Sequence, residues 1–357
     1  MAKVHNFSAG PGILPQEVLQ QAADAVINFD NLDLSLLEIS HRSKNFEAVM
    51  DKARALVKEL TGLGDDYEVL FLQGGASMQF LQVPMNLLKP NGKAAYVNTG
   101  EWATRAIKEA KMLGNTEVIA SSEDKNFNYI PKGYTVPADA DYLHITSNNT
   151  IFGTQYHTFP QFGGVKVCDM SSDIFSRRID FSQFDLIYAG AQKNMGPAGT
   201  TLVIVKKDIL GKTGRTIPTM LDYNIHIKGG SMYNTPPVFP IYVSMLTLEW
   251  LKNNGGLPWI EEINRQKQSL FYHTVDSLPA FRGTAATEDR SWMNATFVLT
   301  DESKDERFAA LLKEANISQL KGHRSVGGYR ASMYNALPLE SVQVLCEVMN
   351  EFANQYA

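Results

Sequence analysis

The sequence predicts an α/β fold: a large unit on a mostly parallel seven-stranded sheet, then a smaller α+β unit. Three observations carry this. Seven short, nearly uninterrupted apolar runs lie between residues 68 and 205. Segments of helical periodicity separate several of them. The texture then changes after about residue 256. Strands apolar on both faces, alternating with helices, indicate a parallel sheet covered on both sides.

The elements follow in order. Segment 46–60 places Phe46, Val49, Met50, Ala53, Leu56, Val57 and Leu60 at helical spacing. The strand runs are EVLFLQ (68–73), AAYVNTG (94–100), TEVIAS (116–121), DYLHITS (141–147), VKVCDM (165–170), DLIYAG (185–190) and TTLVIV (200–205), with a helical pattern at 101–113. Beyond them come strand-like NATFVLT (294–300), a helix near 304–315 and a short strand in YRASMY (329–334). A final helix carries Val342, Leu345, Cys346, Met349 and Phe352 on one face. The expected division is a large unit over 16–255 and a small one over 1–15 with 256–357.

Composition narrows the function. At 357 residues the chain can bury a sizeable core and hold two domains. Hydrophobic content of 44% and charged content of 20% describe a globular protein. The net charge of -5 argues against nucleic acid as a partner. Two cysteines, Cys168 and Cys346, make no disulfide framework. No run approaches the roughly 20 apolar residues of a membrane span, and MAKVHNFSAGPGILP lacks a signal-peptide apolar region. A cytoplasmic protein is expected, with no metal site. No internal repeat, low-complexity tract or linker is present.

In open α/β sheets, ligands bind beyond the carboxyl ends of the strands. After EVLFLQ come Gly74, Gly75, Ala76 and Ser77, opening a helix. Free N–H groups there make an anion site, though a tight strand-to-helix turn explains the same residues. No Gly-Lys-Ser/Thr follows, so this is not a Walker loop. After AAYVNTG comes Trp102, able to stack on a planar ring or to fill the core. After DYLHITS come Asn148, Asn149 and Thr150, and after VKVC comes Asp169. A carboxylate at the end of a buried strand requires a cationic partner. After DLIYAG come Gln192 and Lys193, wrapped in small residues. Taken alone, Lys193 reads as a surface lysine in a hairpin turn. Taken together, the five tips suit a flat, phosphorylated, cationic heterocycle that forms an imine, namely pyridoxal 5'-phosphate. Lys193 would form the imine. Asp169 would pair with the ring nitrogen, and Trp102 would stack on the ring. Gly75, Ala76, Ser77 and Gln192 would hold the phosphate, and Thr150 the ring-hydroxyl side.

The stretches NFSAGPGILP, ISHRSKNF, LFLQGGASMQF, NTGEWATRA, IYAGAQKNMGPAG, MYNTPPVFPIY and GHRSVGGYRASMYNALP occur in order from residue 6 to the last helix. In these the chain resembles the phosphoserine aminotransferase family, pyridoxal-phosphate enzymes of fold type I. The resemblance implies a homodimer with shared active sites. Asn234 and Thr235 would reach the neighbouring subunit's cofactor phosphate. His41, Arg42, His323, Arg324 and Arg330 fall at substrate-anion positions, where arginine suits bidentate capture of carboxylate and phosphate. Arg330 is assigned to the α-carboxylate, and Ser8 also touches substrate. One departure stands out. Some members carry an arginine in a GGGR loop where this chain has GGAS, with Ser77 in its place.

The reaction implied is reversible and ping-pong. L-Glutamate gives its amino group to 3-phosphohydroxypyruvate, yielding O-phospho-L-serine and 2-oxoglutarate in serine biosynthesis. A related phosphorylated keto acid on the pyridoxine route is implied as well. Two rivals are a type I relative, such as a serine–glyoxylate aminotransferase or a cysteine desulfurase, and a silent cofactor-binding module. A desulfurase needs a reactive cysteine on a mobile loop, whereas Cys168 and Cys346 fall in a buried strand and the last helix. The intact Lys193–Asp169 pair argues against the silent module.

Overall fold

The structure, a computed structural model, describes residues 3–324 and 326–356. Its centre is a seven-stranded sheet in the order Tyr67–Leu72, Thr201–Lys206, Leu186–Gly190, Lys166–Asp169, Tyr142–Thr146, Lys93–Asn98 and Asn115–Ser121. Thr201–Lys206 runs antiparallel to both neighbours, and the remaining pairs are parallel. The five strands whose tips carry candidate residues therefore end on the same side of the sheet.

Period-two alternation explains the continuous apolar runs. In one strand, Val69 and Phe71 enter one core while Leu70 and Leu72 enter the other. The first core is closed by helices α1 (Gln16–Ile27), α2 (Lys44–Thr61) and α6 (Val238–Asn253). The second is closed by α3 (Gly75–Leu87), α4 (Glu101–Leu113) and the short α5 (Tyr223–Lys228). Asn115–Ser121 departs from expectation. None of its residues is buried, because it lies at the sheet edge with one neighbour and a register shift after Tyr96.

The smaller core lies around an antiparallel sheet of Phe281–Gly283, Asn294–Leu299 and Tyr329–Ser332. Helices α7 (Gly256–Ser277), α8 (Asp305–Glu314) and α9 (Leu339–Tyr356) surround it. His5–Asn6 pairs in parallel with Ile317–Ser318, which attaches the N-terminal segment here. Helix α7 bridges the cores. Its Leu257 and Ile260 join the first, while Phe271, Tyr272 and Val275 join the small one.

The sequence explains how α2 is placed. Ser43 accepts a hydrogen bond from the Phe46 N–H at 3.4 Å, capping the helix start. Gly62, at φ 69°, ends it. His41 and Arg42 thus stand just before a capped helix. Cys168 and Cys346 are both free and buried. Among the described residues, no helix is long and apolar enough to cross a membrane.

Candidate active site

At the carboxyl ends of the strands lies a cleft of about 500 Å³. Its walls bring together Gly75, Trp102, Thr150, Gln192, Lys193, His323 and Arg330, all singled out in the sequence. Lys193 follows the Leu186–Gly190 strand on a turn closed by hydrogen bonds from the Met195 and Gly196 N–H groups to the Ala191 carbonyl. Its Nζ donates to Thr150 Oγ1 at 3.1 Å and stands 5.2 Å from the Trp102 ring centroid. Loss of solvent pushes the amine down to about 8; Asp169 opposes this and Arg330 adds to it. An amine held there is partly neutral near physiological pH, as a nucleophile and proton carrier must be.

Asp169 ends its strand 4% exposed. The Ser171 N–H donates to its Oδ1 at 2.9 Å, and burial pushes the carboxyl upward. Among the described residues no ion pair reaches it. The chain therefore presents a buried carboxylate near the cleft that the Lys193 ammonium attracts but does not meet in an ion pair. Such a group is costly unless the ligand brings the cation.

The phosphate end is backbone. Gly74 adopts φ 89° before α3, and a Cβ there would come within 2.5 Å of the Met78 Cβ. Glycine at this turn lets α3 begin directly at the cleft. The first N–H groups of α3, on Gly75, Ala76 and Ser77, have no acceptor within the helix and form an anion cradle. Ser77 is exposed. Trp102 sits in the first turn of α4, its buried Nε1 without a partner, and Arg105 lies 5.0 Å from its ring.

Arg330 spends one nitrogen on the fold: Nη1 donates to the Thr150 carbonyl at 3.3 Å. Its buried Nε has no partner, and burial pushes the guanidinium downward. An anion at this edge would satisfy it. Together, a nucleophilic amine, a buried carboxylate, a ring-sized indole and a helix N-terminus fit pyridoxal 5'-phosphate.

Several predicted residues lie outside this cleft. Asn234 lines a separate cleft of about 250 Å³ beside Gly74, and the Thr235 carbonyl accepts from Gln73 Nε2 at 2.8 Å. His41 keeps a buried Nε2 without a partner, while Arg42 and Arg324 are exposed. Ser8 lies one residue before the cleft wall, its Oγ accepting from the Gly10 N–H at 3.4 Å. One chain does not gather the two His-Arg pairs around Lys193.

Other residues at the site went unread in the sequence. Gly12 N–H donates to the Gln192 carbonyl at 2.7 Å, and Tyr334 OH donates to the Ala9 carbonyl at 2.7 Å. A Cβ on Gly12 would lie 2.6 Å from the Lys193 carbonyl oxygen and 2.8 Å from the Tyr334 ring. The signal was present in Gly-Pro-Gly, which marks a close backbone approach. Gly12→Ala should displace the Lys193 turn and lower kcat by about 10²-fold, the scale of an ångström-level misplacement. Steady-state kinetics at saturating substrate measure this; unchanged kcat would show that the turn yields freely.

The class-V aminotransferase family model matches residues 4–345. The chain is 66% identical to the phosphoserine aminotransferase of Flavobacterium psychrophilum, with 99% of each chain covered. It is 57% identical to that of Porphyromonas gingivalis, covering 98% of this chain and 99% of the relative. Among solved structures, the phosphoserine aminotransferase of Bacillus circulans subsp. alkalophilus superimposes with TM-score 0.96 at 44% identity, covering 99% of each chain. A phosphoserine aminotransferase from Trichomonas vaginalis, described as pyridoxal-phosphate-bound, gives 0.92 at 34% identity, covering 98% of this chain and 100% of that one.

Proposed function

The chain belongs to the class-V aminotransferase family as a pyridoxal-phosphate-dependent transaminase, and from that premise we propose that it moves an amino group between L-glutamate and 3-phosphohydroxypyruvate, yielding O-phospho-L-serine and 2-oxoglutarate. The observation that carries this reading is the shared cleft of Lys193 and Arg330, with Asp169 buried at its sheet end. The two substrates take turns in that one cleft, so the kinetics are ping-pong.

The cofactor, held by Lys193, Asp169 and the first N–H groups of α3, would supply an electron-withdrawing ring and a carbonyl group able to carry an amino group. Asp169 holds a negative charge where that ring needs a protonated nitrogen. Gly75, Ala76 and Ser77 offer N–H groups to the phosphate, with Gln192 beside them. Trp102 provides a flat wall, and Thr150 keeps Lys193 Nζ turned toward it. Arg330 binds the α-carboxylate and so orients the α-carbon toward Lys193. Lys193 Nζ removes the α-proton as a base and returns it as an acid on the far side of the reaction. The substrate phosphate, a dianion, needs several cationic donors. His41, Arg42, His323 and Arg324 are assigned to it, and Ser8 to a neutral contact.

We assign the active unit to a homodimer. Asn234 and the His41–Arg42 pair lie outside the Lys193 cleft of their own chain, as expected if they serve the partner's. The test has two parts. With glutamate as donor, phosphohydroxypyruvate should be preferred over hydroxypyruvate and glyoxylate by about 10²-fold or more in kcat/KM, the scale of a charged hydrogen-bonded pair. Equal rates with hydroxypyruvate would remove the phosphate site. Mixing inactive Lys193→Ala with an inactive Asn234→Ala/Thr235→Ala double variant should restore part of the activity. No recovery despite demonstrated subunit exchange would place each site within one chain.

A further inference from the structure

Lys267 lies on α7, away from the cleft, and is fully buried. Its Nζ donates to three carbonyls: Met333 at 3.1 Å, Tyr334 at 2.8 Å and Leu337 at 3.1 Å. Three acceptors match the three N–H groups of an ammonium. Among the described residues no carboxylate pairs with it. Burial alone pushes its pKa down to about 7. A buried ammonium without a counter-ion is a poor source of stability, since an apolar side chain of similar length avoids the desolvation. Its position needs another reason.

The turn it grips leads to Lys193. Asn335, within that turn, donates from its backbone N–H to Asn194 Oδ1 at 2.9 Å. Asn194 adjoins Lys193. Three asparagines then hold consecutive carbonyls of one loop: Asn194 Nδ2 that of Ile174 at 2.5 Å, Asn335 Nδ2 that of Phe175 at 2.9 Å, and Asn264 Nδ2 that of Ser176 at 2.8 Å. Asn264 also donates to Asn335 Oδ1 at 2.9 Å, and it stands one helical turn before Lys267 on α7. The clasped loop follows Asp169 and contains Phe175 at φ 58°, a conformation a bulky residue holds only when its surroundings impose it. The clasp thus joins three parts: the segment after Asp169, the turn carrying Lys193, and the turn after the Arg330 strand.

We infer that Lys267 is a positioning residue, which through the Asn335–Asn194 contact and the asparagine clasp fixes the Lys193 turn relative to Asp169 and Arg330. This rests on the transaminase reading for its kinetic consequence, but not for the geometry. Lys267 touches neither substrate nor cofactor. Its ammonium holds the 333–337 turn rigid, and Asn335 transmits that rigidity to Asn194.

The test compares Lys267→Met, Lys267→Gln, Asn335→Ala and the Lys267→Met/Asn335→Ala double variant. In the folded holoenzymes, kcat should fall about 10-fold or more with KM for glutamate little changed, because the misplaced group acts after binding. The double variant should be no worse than the weaker single, since both break the same link. A second readout needs neither substrate nor cofactor. In the cofactor-free protein, acylation of Lys193 by acetic anhydride, followed by peptide mass spectrometry across pH, reports its titration midpoint. That midpoint should shift in the same direction in Lys267→Met and Asn335→Ala. A wrong substrate assignment would leave this shift intact. Additive losses in kcat, or a Lys193 midpoint unchanged in Asn335→Ala, would overturn the inference. Failure of both Lys267→Met and Lys267→Gln to fold would assign Lys267 to general stability instead.

Discussion

Lys193→Ala is expected to lower steady-state transamination by at least about 10³-fold, within the range for removing a positioned acid–base group that also anchors the cofactor. The structure distinguishes this half-buried lysine from the two buried ones. Lys166 Nζ is committed to the Pro160 carbonyl at 3.1 Å, and Lys267 to three carbonyls. Lys193 bonds to one hydroxyl, Thr150 Oγ1, and lines the cleft. With the amine at about 8, a useful fraction is neutral at pH 7 to 8. In the cofactor-free protein, acylation of Lys193 should therefore become faster as pH rises through that region, because only the neutral amine is nucleophilic. The variant should remain folded, because the fold takes a single hydrogen bond from the Lys193 side chain. Borohydride reduction of the wild-type holoenzyme, then peptide mapping, locates the attachment. A label on any other lysine, or turnover in Lys193→Ala near the wild-type rate, rejects the assignment.

The sheet was legible because each of its strands repeats a local signal. Runs such as VKVCD and DLIYAG are apolar on both faces, and the structure buries both faces. The edge strand 115–121 was the weak case: its apolar residues Val118, Ile119 and Ala120 read as one more buried run, yet none of its residues is buried. The strand tips were legible for a similar reason: Gly74, Asp169 and Lys193 are unusual neighbours for buried runs. What local pattern could not show is contact across long separations. Gly12 leaves room for the Lys193 carbonyl and the Tyr334 ring, and Asn335 reaches Asn194, Phe175 and Asn264, through single contacts with no periodicity. A buried lysine such as Lys267 reads in sequence as a solvated helix position. Family resemblance supplied Asn234 and His41, whose placement beyond their own chain's cleft no spacing rule contains.

Asp169→Asn is the second large effect, and its sign differs between activity and stability. The side chains are nearly isosteric, and Asn Oδ1 can still accept from the Ser171 N–H, so the strand end should keep its geometry. What disappears is the negative charge that we propose to face the cofactor's ring nitrogen. That nitrogen then loses the counter-charge that keeps it protonated, and kcat should fall by about 10²- to 10⁴-fold. The cofactor-free protein should respond in the opposite way. Burial holds the Asp169 carboxyl above its ordinary value, so the native state binds this proton more tightly than the unfolded chain. For an acid raised in this way, stability falls as pH rises above the unfolded value of about 4, and the full penalty is present above the folded value. Asparagine carries no such penalty. At neutral pH, cofactor-free Asp169→Asn should therefore melt no lower than wild type, with the difference shrinking as pH falls toward 4. Adding pyridoxal 5'-phosphate should reverse the order, because the cofactor supplies the cation that the wild-type carboxylate lacks. Thermal melts with and without cofactor, beside kcat for glutamate, test both halves. A variant with near-wild-type kcat, or one equally stabilised by the cofactor, would show that Asp169 does not meet the ring nitrogen.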